Sequence, residues 1–210
     1  IGDMGMWSFD AMKTLSTADG GMMFIKDTYK RIEAEESLYL GLPIKSKSGL
    51  DSSSDNASNW WEFEMNRTGR RAIMNNVTAA MGLSQLSKLD DFIEKRKNIF
   101  ERYTKELENI GDIRLPPTPE FEYTSSYYFF WIQTEHRDEL AKFLLDKGVY
   151  TTFRYWPLDK IKLFSEYAIE DYPNSDYAAS YTLNIPLHQS LSDEDVNLII
   201  VSIRDFYEQL

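Results

Sequence analysis

The sequence predicts an α/β protein. Segments with helical hydrophobic spacing alternate with short β-branched and aromatic runs, and Gly or Pro punctuates the joins. Hydrophobic residues make up 42% and aromatics 14% of the 210 positions, enough to bury a core. In chain order, residues 6–9 (Met-Trp-Ser-Phe) read as the end of a buried strand. A polar turn closes at Gly20-Gly21, and the run 22–25 reads as a strand paired with the first. Residues 44–59 are rich in Ser, Asp, Asn and Lys without periodicity, as in a surface loop. From Ala72 the pattern turns helical, with Ile73, Val77, Ala80, Met81 and Leu83 on one stripe. A longer helix carries Leu89, Phe92, Ile93, Ile99, Phe100, Tyr103 and Leu107, with Gly111 and Pro116-Pro117 as its stop. A small α/β unit follows: a strand over 127–133, a helix over 138–147 closed by Gly148, and a strand over 150–155. The last helix starts at Ser192, with Asp195 completing a capping box and Val196, Ile199, Ile200 and Ile203 as the buried stripe. A change of texture near 96–103 puts a domain boundary inside the long helix, giving domains 1–98 and 99–210.

Composition excludes several function classes. The net charge is −11 and the isoelectric point about 4.7, so the surface repels phosphate backbones and predicts no nucleic-acid binding. With no cysteine there is no disulfide framework and no thiolate metal site, and His136 and His188 are too few for a histidine-based zinc site. No apolar run has membrane-spanning length and no signal-peptide pattern is present, so the expectation is a cytoplasmic protein without membrane contact. The acidic surplus reads as solvated helix faces. The chain begins at Ile1 and runs straight into its densest motif, as a piece of a longer protein would.

That motif is Ser8-Phe9-Asp10-Ala11-Met12-Lys13-Thr14-Leu15, followed by Asp19-Gly20-Gly21-Met22. It resembles the cofactor-lysine segment of the DegT/DnrJ/EryC1/StrS aminotransferases: a strand ending in Ser-Phe, a Lys five residues after the Ser, then an acid and two glycines. Residues 74–86 resemble the family's dimer-side helix, and residues 184–194 its Pro-Leu-His segment with the acidic helix start after it. The resemblance covers nearly the whole chain. It implies the pyridoxal-phosphate (PLP) transferase fold type I, here the end of a large domain with a mostly parallel sheet followed by a small α/β domain. It also implies a homodimer with shared active sites.

The chemistry gives each residue a reason. PLP carries an aldehyde that condenses with an amine, so a lysine has to be held in one place; Lys13 is that residue. After the substrate amine displaces it, the freed Lys13 amine can move protons as a general acid–base. Ser8 supplies a hydroxyl to the phosphate, and the glycines let the chain turn closely into the next strand. Many family members carry Asn-Tyr-Arg ahead of the dimer-side helix, where the Asn reaches the partner's PLP phosphate. Here the aligned stretch is Arg70-Arg71-Ala72-Ile73, so Arg70 or Arg71 is the candidate phosphate ligand, against a plain surface arginine. By the same resemblance, the Asp that pairs with the pyridine nitrogen and the aromatic that stacks on the ring lie upstream of Ile1. The 210 residues alone are therefore not expected to catalyse.

Three further residues are candidates for substrate binding. His188 either touches substrate or is a structural histidine bonded to the backbone. Arg154 and Tyr155, in a segment that resembles the 4-aminotransferase branch, either meet a diphosphate or carboxylate or form a strand edge with the arginine stacked on a tyrosine. Trp60-Trp61 and Phe63 are an apolar cluster for a base, a neighbouring subunit or the core. The resulting expectation is a PLP-dependent enzyme that moves an amino group from L-glutamate to a nucleoside-diphosphate 4-keto-6-deoxy sugar in deoxyamino-sugar biosynthesis. The alternatives are a 3-keto-sugar aminotransferase, a PLP-dependent sugar dehydratase, against which Lys13 argues because those relatives carry His there, and an inactive scaffold or regulatory homologue.

Overall fold

The computed structural model describes residues 2–43, 65–118 and 123–210. The loop expected over 44–59 and the cluster Trp60, Trp61 and Phe63 lie outside the described residues. The chain divides into two compact units, Ile1–Lys88 and Leu89–Leu210. The division comes at the start of the long helix rather than at 98/99. The helix stays whole because its buried residues Arg96, Phe100 and Tyr103 all pack within the second unit.

In the first unit, strands β1 (Met4–Ser8) and β2 (Gly21–Ile25) pair antiparallel, with Met4 opposite Ile25 and Ser8 opposite Gly21. The expectation of a buried strand is not met here. Met6 is 79% exposed, and Met4, Trp7, Met22, Met23 and Phe24 are exposed as well. Consecutive apolar residues on both strands put apolar side chains on both faces, the pattern of strands that are covered on both sides. Helix α1 (Thr28–Leu38) starts where Asp27 accepts a hydrogen bond from Lys30 N at 2.8 Å. Helix α2 (Asn76–Leu86) starts four residues later than Ala72, because Asn75 turns its side chain onto Thr78 N at 3.0 Å and caps there.

The second unit has a core of its own. Helix α3 (Leu89–Glu106) supplies Phe100 and Tyr103 to it. Strand β3 (Phe130–Gln133) alternates buried and half-buried residues and pairs antiparallel with β4 (Thr182–Ile185). Helix α4 (Arg137–Asp146) ends in a Schellman turn: Gly148 has φ +80°, Val149 N reaches Leu144 O at 2.8 Å and Gly148 N reaches Leu145 O at 2.9 Å. Two 3-10 turns (Leu158–Lys160 and Lys162–Tyr167) and helix α5 (Pro173–Tyr181) lead into β4. Helix α6 (Asp193–Glu208) opens on the expected capping box of Ser192 and Asp195 and buries Val196, Ile199, Ile200 and Ile203.

Three expectations change. The strand over 127–133 shortens to β3, because Tyr127 sits at φ +48°, outside strand geometry. The strand over 150–155 is reduced to one bridge, Thr152 with Asn184, since Tyr150 and Tyr155 lie exposed and have no sheet face to pack on. All strand pairings among the described residues are antiparallel, so the mostly parallel sheet is not found among them. No described helix is long and apolar enough to cross a membrane, and no described group of acids and histidines could hold a metal ion.

Candidate active site

Lys13 lies on the loop between β1 and β2, and backbone bonds close the base of that loop. Phe9 N donates to Gly20 O and Thr17 N to Phe9 O, both at 2.9 Å. At the tip, Lys13 N donates to Asp10 O at 2.9 Å, and Asp10 Oδ1 accepts from Met12 N at 2.9 Å. Ser8 Oγ accepts from Asp10 N at 3.3 Å, which leaves its O–H hydrogen for another acceptor. The two glycines are there for steric reasons. Gly20 has φ +112°, and a Cβ on Gly21 would come within 2.6 Å of Trp7 O. The preceding acid, Asp19, accepts from Gly20 N at 2.7 Å and holds the turn. Helix α2 backs the loop: Thr17 is buried, and its Cγ2 lies 3.2 Å from where a Cβ would stand on Gly82. Lys13 thus stands on a braced loop, partly exposed.

Arg70 and Arg71 are held through their backbones. Arg70 N donates to Ser37 O at 2.8 Å, Leu40 N to Arg70 O at 3.3 Å and Ala72 N to Leu38 O at 2.9 Å, around a bridge between Tyr39 and Arg71. Both side chains are exposed, and among the described residues neither guanidinium has an ion-pair partner. Nearby Arg67 differs. It is bound by Glu33 at 3.0 Å and Glu36 at 2.8 Å, and those hydrogen bonds raise its pKa. Arg67 is therefore committed to α1, while no ion pair among the described residues engages Arg70 or Arg71.

In the second unit, the segment 186–189 is held by two donors on one face of α3. Tyr103 OH donates to Pro186 O at 2.9 Å. Arg96 Nη1 donates to Leu187 O at 3.0 Å and to the carbonyls of Tyr127 and Tyr128 at 3.3 Å, and its Nε donates to Gln189 Oε1 at 3.0 Å. Arg96 is only 4% exposed and has no carboxylate partner among the described residues, and burial lowers its pKa. Sequence reasoning missed it, although a signal was there: Arg96 falls on the apolar stripe Phe92, Ile99, Tyr103, where a cation has to be satisfied.

His188, carried by this segment, is exposed, and its imidazole makes no hydrogen bond among the described residues. The reading as a backbone-bonded structural histidine is thereby corrected. Partial burial and then the charge of Arg96 pull its pKa down, against an upward pull from Asp195, which favours the neutral form of the ring. Arg154 is half-buried and Tyr155 is 72% exposed. Neither belongs to a strand, and Arg154 stacks on no ring among the described residues, so the strand-edge reading fails for this pair.

The profile of the DegT/DnrJ/EryC1/StrS aminotransferase family matches residues 1–204. The chain belongs to this family. A dTDP-4-dehydro-2,3,6-trideoxy-D-glucose 4-aminotransferase of Saccharopolyspora spinosa is 40% identical over 201 residues, covering 95% of this chain and 51% of that protein. The spore coat polysaccharide biosynthesis protein SpsC of Bacillus subtilis (strain 168) is 29% identical over 215 residues, covering 98% and 54%. Among solved structures, the aminotransferase TlmJ of Streptoalloteichus hindustanus superposes with a TM-score of 0.85 at 40% identity, over 99% of this chain and 52% of TlmJ. The chain spans about half the length of the curated relatives it matches. DegT-family aminotransferases have the PLP fold type I and use PLP.

Proposed function

We propose that the protein of which these residues are part is a cytoplasmic, PLP-dependent nucleotide-sugar aminotransferase. It takes the amino group of L-glutamate and transfers it to the 4-keto carbon of a nucleoside-diphosphate 6-deoxy sugar. The observation that carries this reading is Lys13 on its doubly closed loop, with Ser8 at the loop's foot, in a chain 40% identical to a dTDP-sugar 4-aminotransferase.

The residues present suit PLP on physical grounds. The loop offers an amine held through its backbone, a hydroxyl with a free hydrogen suits a phosphate oxygen, and two arginines without an ion-pair partner among the described residues suit a dianion. Ser8 and Arg70 or Arg71 would hold the phosphate, the arginine serving the site of the partner subunit in a homodimer. PLP, when bound, supplies an aldehyde for attachment and a ring that withdraws electrons from the reacting carbon. Lys13 Nζ is the amine that would hold the cofactor through its aldehyde. When not engaged with the cofactor, the same amine would take a proton from the amine-bearing carbon and return one, a role that contributes on the order of 10²–10⁴-fold to a rate. Arg154 pairs with the diphosphate or the glutamate carboxylate, and Tyr155 and the neutral His188 give polar contacts to the sugar nucleotide.

The half-reaction is the test. The full-length protein, loaded with PLP and given L-glutamate alone, should release about one equivalent of 2-oxoglutarate per subunit. It should then turn over continuously when a nucleoside-diphosphate 4-keto-6-deoxy sugar is added. No 2-oxoglutarate would overturn the aminotransferase reading, and turnover only with a 3-keto sugar would overturn the position.

A further inference from the structure

Arg96 is a cation buried to 4% exposure that no carboxylate among the described residues neutralises. Such a group is costly unless hydrogen bonds compensate its burial. Arg96 directs Nε at one amide oxygen and Nη1 at three carbonyls, and two of these acceptors belong to residues 187 and 189, either side of His188. Tyr103, seven residues on and so on the same helical face, fixes the carbonyl of Pro186. The flanks of His188 are thus tied to the interior of the second unit, while its imidazole is left without a protein partner among the described residues and faces outward.

We propose that Arg96 is a positioning residue for the sugar-nucleotide site: by gripping residues 187 and 189 it fixes the direction in which His188 is presented to substrate. The proposal rests on the reading of His188 as a substrate contact. Its core, that Arg96 sets the placement of His188, stands on the geometry alone. A planar guanidinium serves here because its Nη1 holds the carbonyls of Leu187, Tyr127 and Tyr128 while its Nε holds the Gln189 amide; an ammonium is a single point donor and cannot supply both positions. The charged groups that act on His188 are Arg96, which lowers its pKa, and Asp195, which raises it.

The test uses the full-length PLP-loaded protein with ¹³C-labelled histidine, His136 serving as the internal reference. In Arg96→Met the His188 resonance should broaden or split and titrate at higher pH than in the parent, because the nearby cation is gone. In Arg96→Lys the charge stays, so the midpoint should stay low, yet the resonance should still broaden because the fork is lost. In steady state, Arg96→Lys and His188→Gln should each raise KM for the nucleotide sugar on the order of ten- to a hundredfold, with kcat little changed. The double variant should cost no more than the larger single one, because the two act on one contact. An unaltered His188 signal in both Arg96 variants would overturn the positioning role, whatever the kinetics show. An altered signal together with an unchanged KM in His188→Gln would keep the positioning role and remove His188 from the substrate site.

Discussion

The residues from Leu89 onward and those up to Lys88 are stabilised in different ways. The whole buried apolar cluster, from Phe100 to Phe206, lies in the second unit, whereas Ile25 is the one buried hydrophobic residue described in the first. Three helices supply apolar residues to cover the β3–β4 pair. The β1–β2 pair instead shows Met6, Trp7, Met22 and Met23 to solvent, and α2 shows Val77 and Leu83. The order described in the first unit rests on backbone bonds, caps and steric glycines around Lys13, and on the ties of residues 67–72 to α1 and the residues just after it. The proposed chemistry thus sits on a scaffold whose apolar faces are uncovered among the described residues, whereas the second unit carries its own core.

Separating the two units should give the largest difference. Residues 89–210 expressed alone should unfold in one cooperative thermal transition, and residues 1–88 alone should show none by calorimetry. A cooperative transition in 1–88 would break the comparison. Single substitutions should follow the same division. Phe130→Ala should destabilise by about 3–5 kcal/mol through the cavity it leaves, whereas Met6→Ala should stay within about 0.5 kcal/mol in the 210-residue chain. Denaturant melts of both variants check this.

A smaller loss is expected from Gly111→Ala. Gly111 has φ +52°, and an added Cβ would run into the Tyr207 ring. Backbone strain and the displaced ring together should cost about 1–3 kcal/mol, read as a lower midpoint in denaturant.

The smallest effect concerns pH. Burial pushes the Asp112 carboxyl upward, but hydrogen bonds from Tyr207, the Glu135 N–H and Thr134 outweigh it, so its pKa ends below the ordinary value. A depressed folded-state pKa contributes stability above the ordinary carboxylate pKa and loses it as pH falls through the lowered one. Asp112→Asn should therefore flatten the acid limb of stability and leave the slope near neutral pH unchanged. An unchanged acid limb would show that the network does not favour the charged form.

The residues that were legible in sequence share a local signature. Lys13 with Ser8 and the double glycine, the Ser192–Asp195 box and the α6 stripe are each set by spacing along the chain. What was missed depends on contacts distant in sequence. Strand β4 is four residues long and exists because β3 lies beside it. Helix α1 is polar nearly all round, and only its Asp27 cap marks it. Residues 150–155 have β propensity, but a strand needs a neighbour along its length and only Thr152 finds one. Arg96 acquires its meaning only when residues 127, 128, 187 and 189 come to it.

The central claim is that Lys13 carries the cofactor. Borohydride reduction of the PLP-loaded full-length protein, followed by peptide mass mapping, tests it most directly. The mass of reduced PLP should appear on Lys13, and Lys13→Ala should abolish both the label and the yellow colour. A label on another lysine, or a colour that survives Lys13→Ala, would contradict the account.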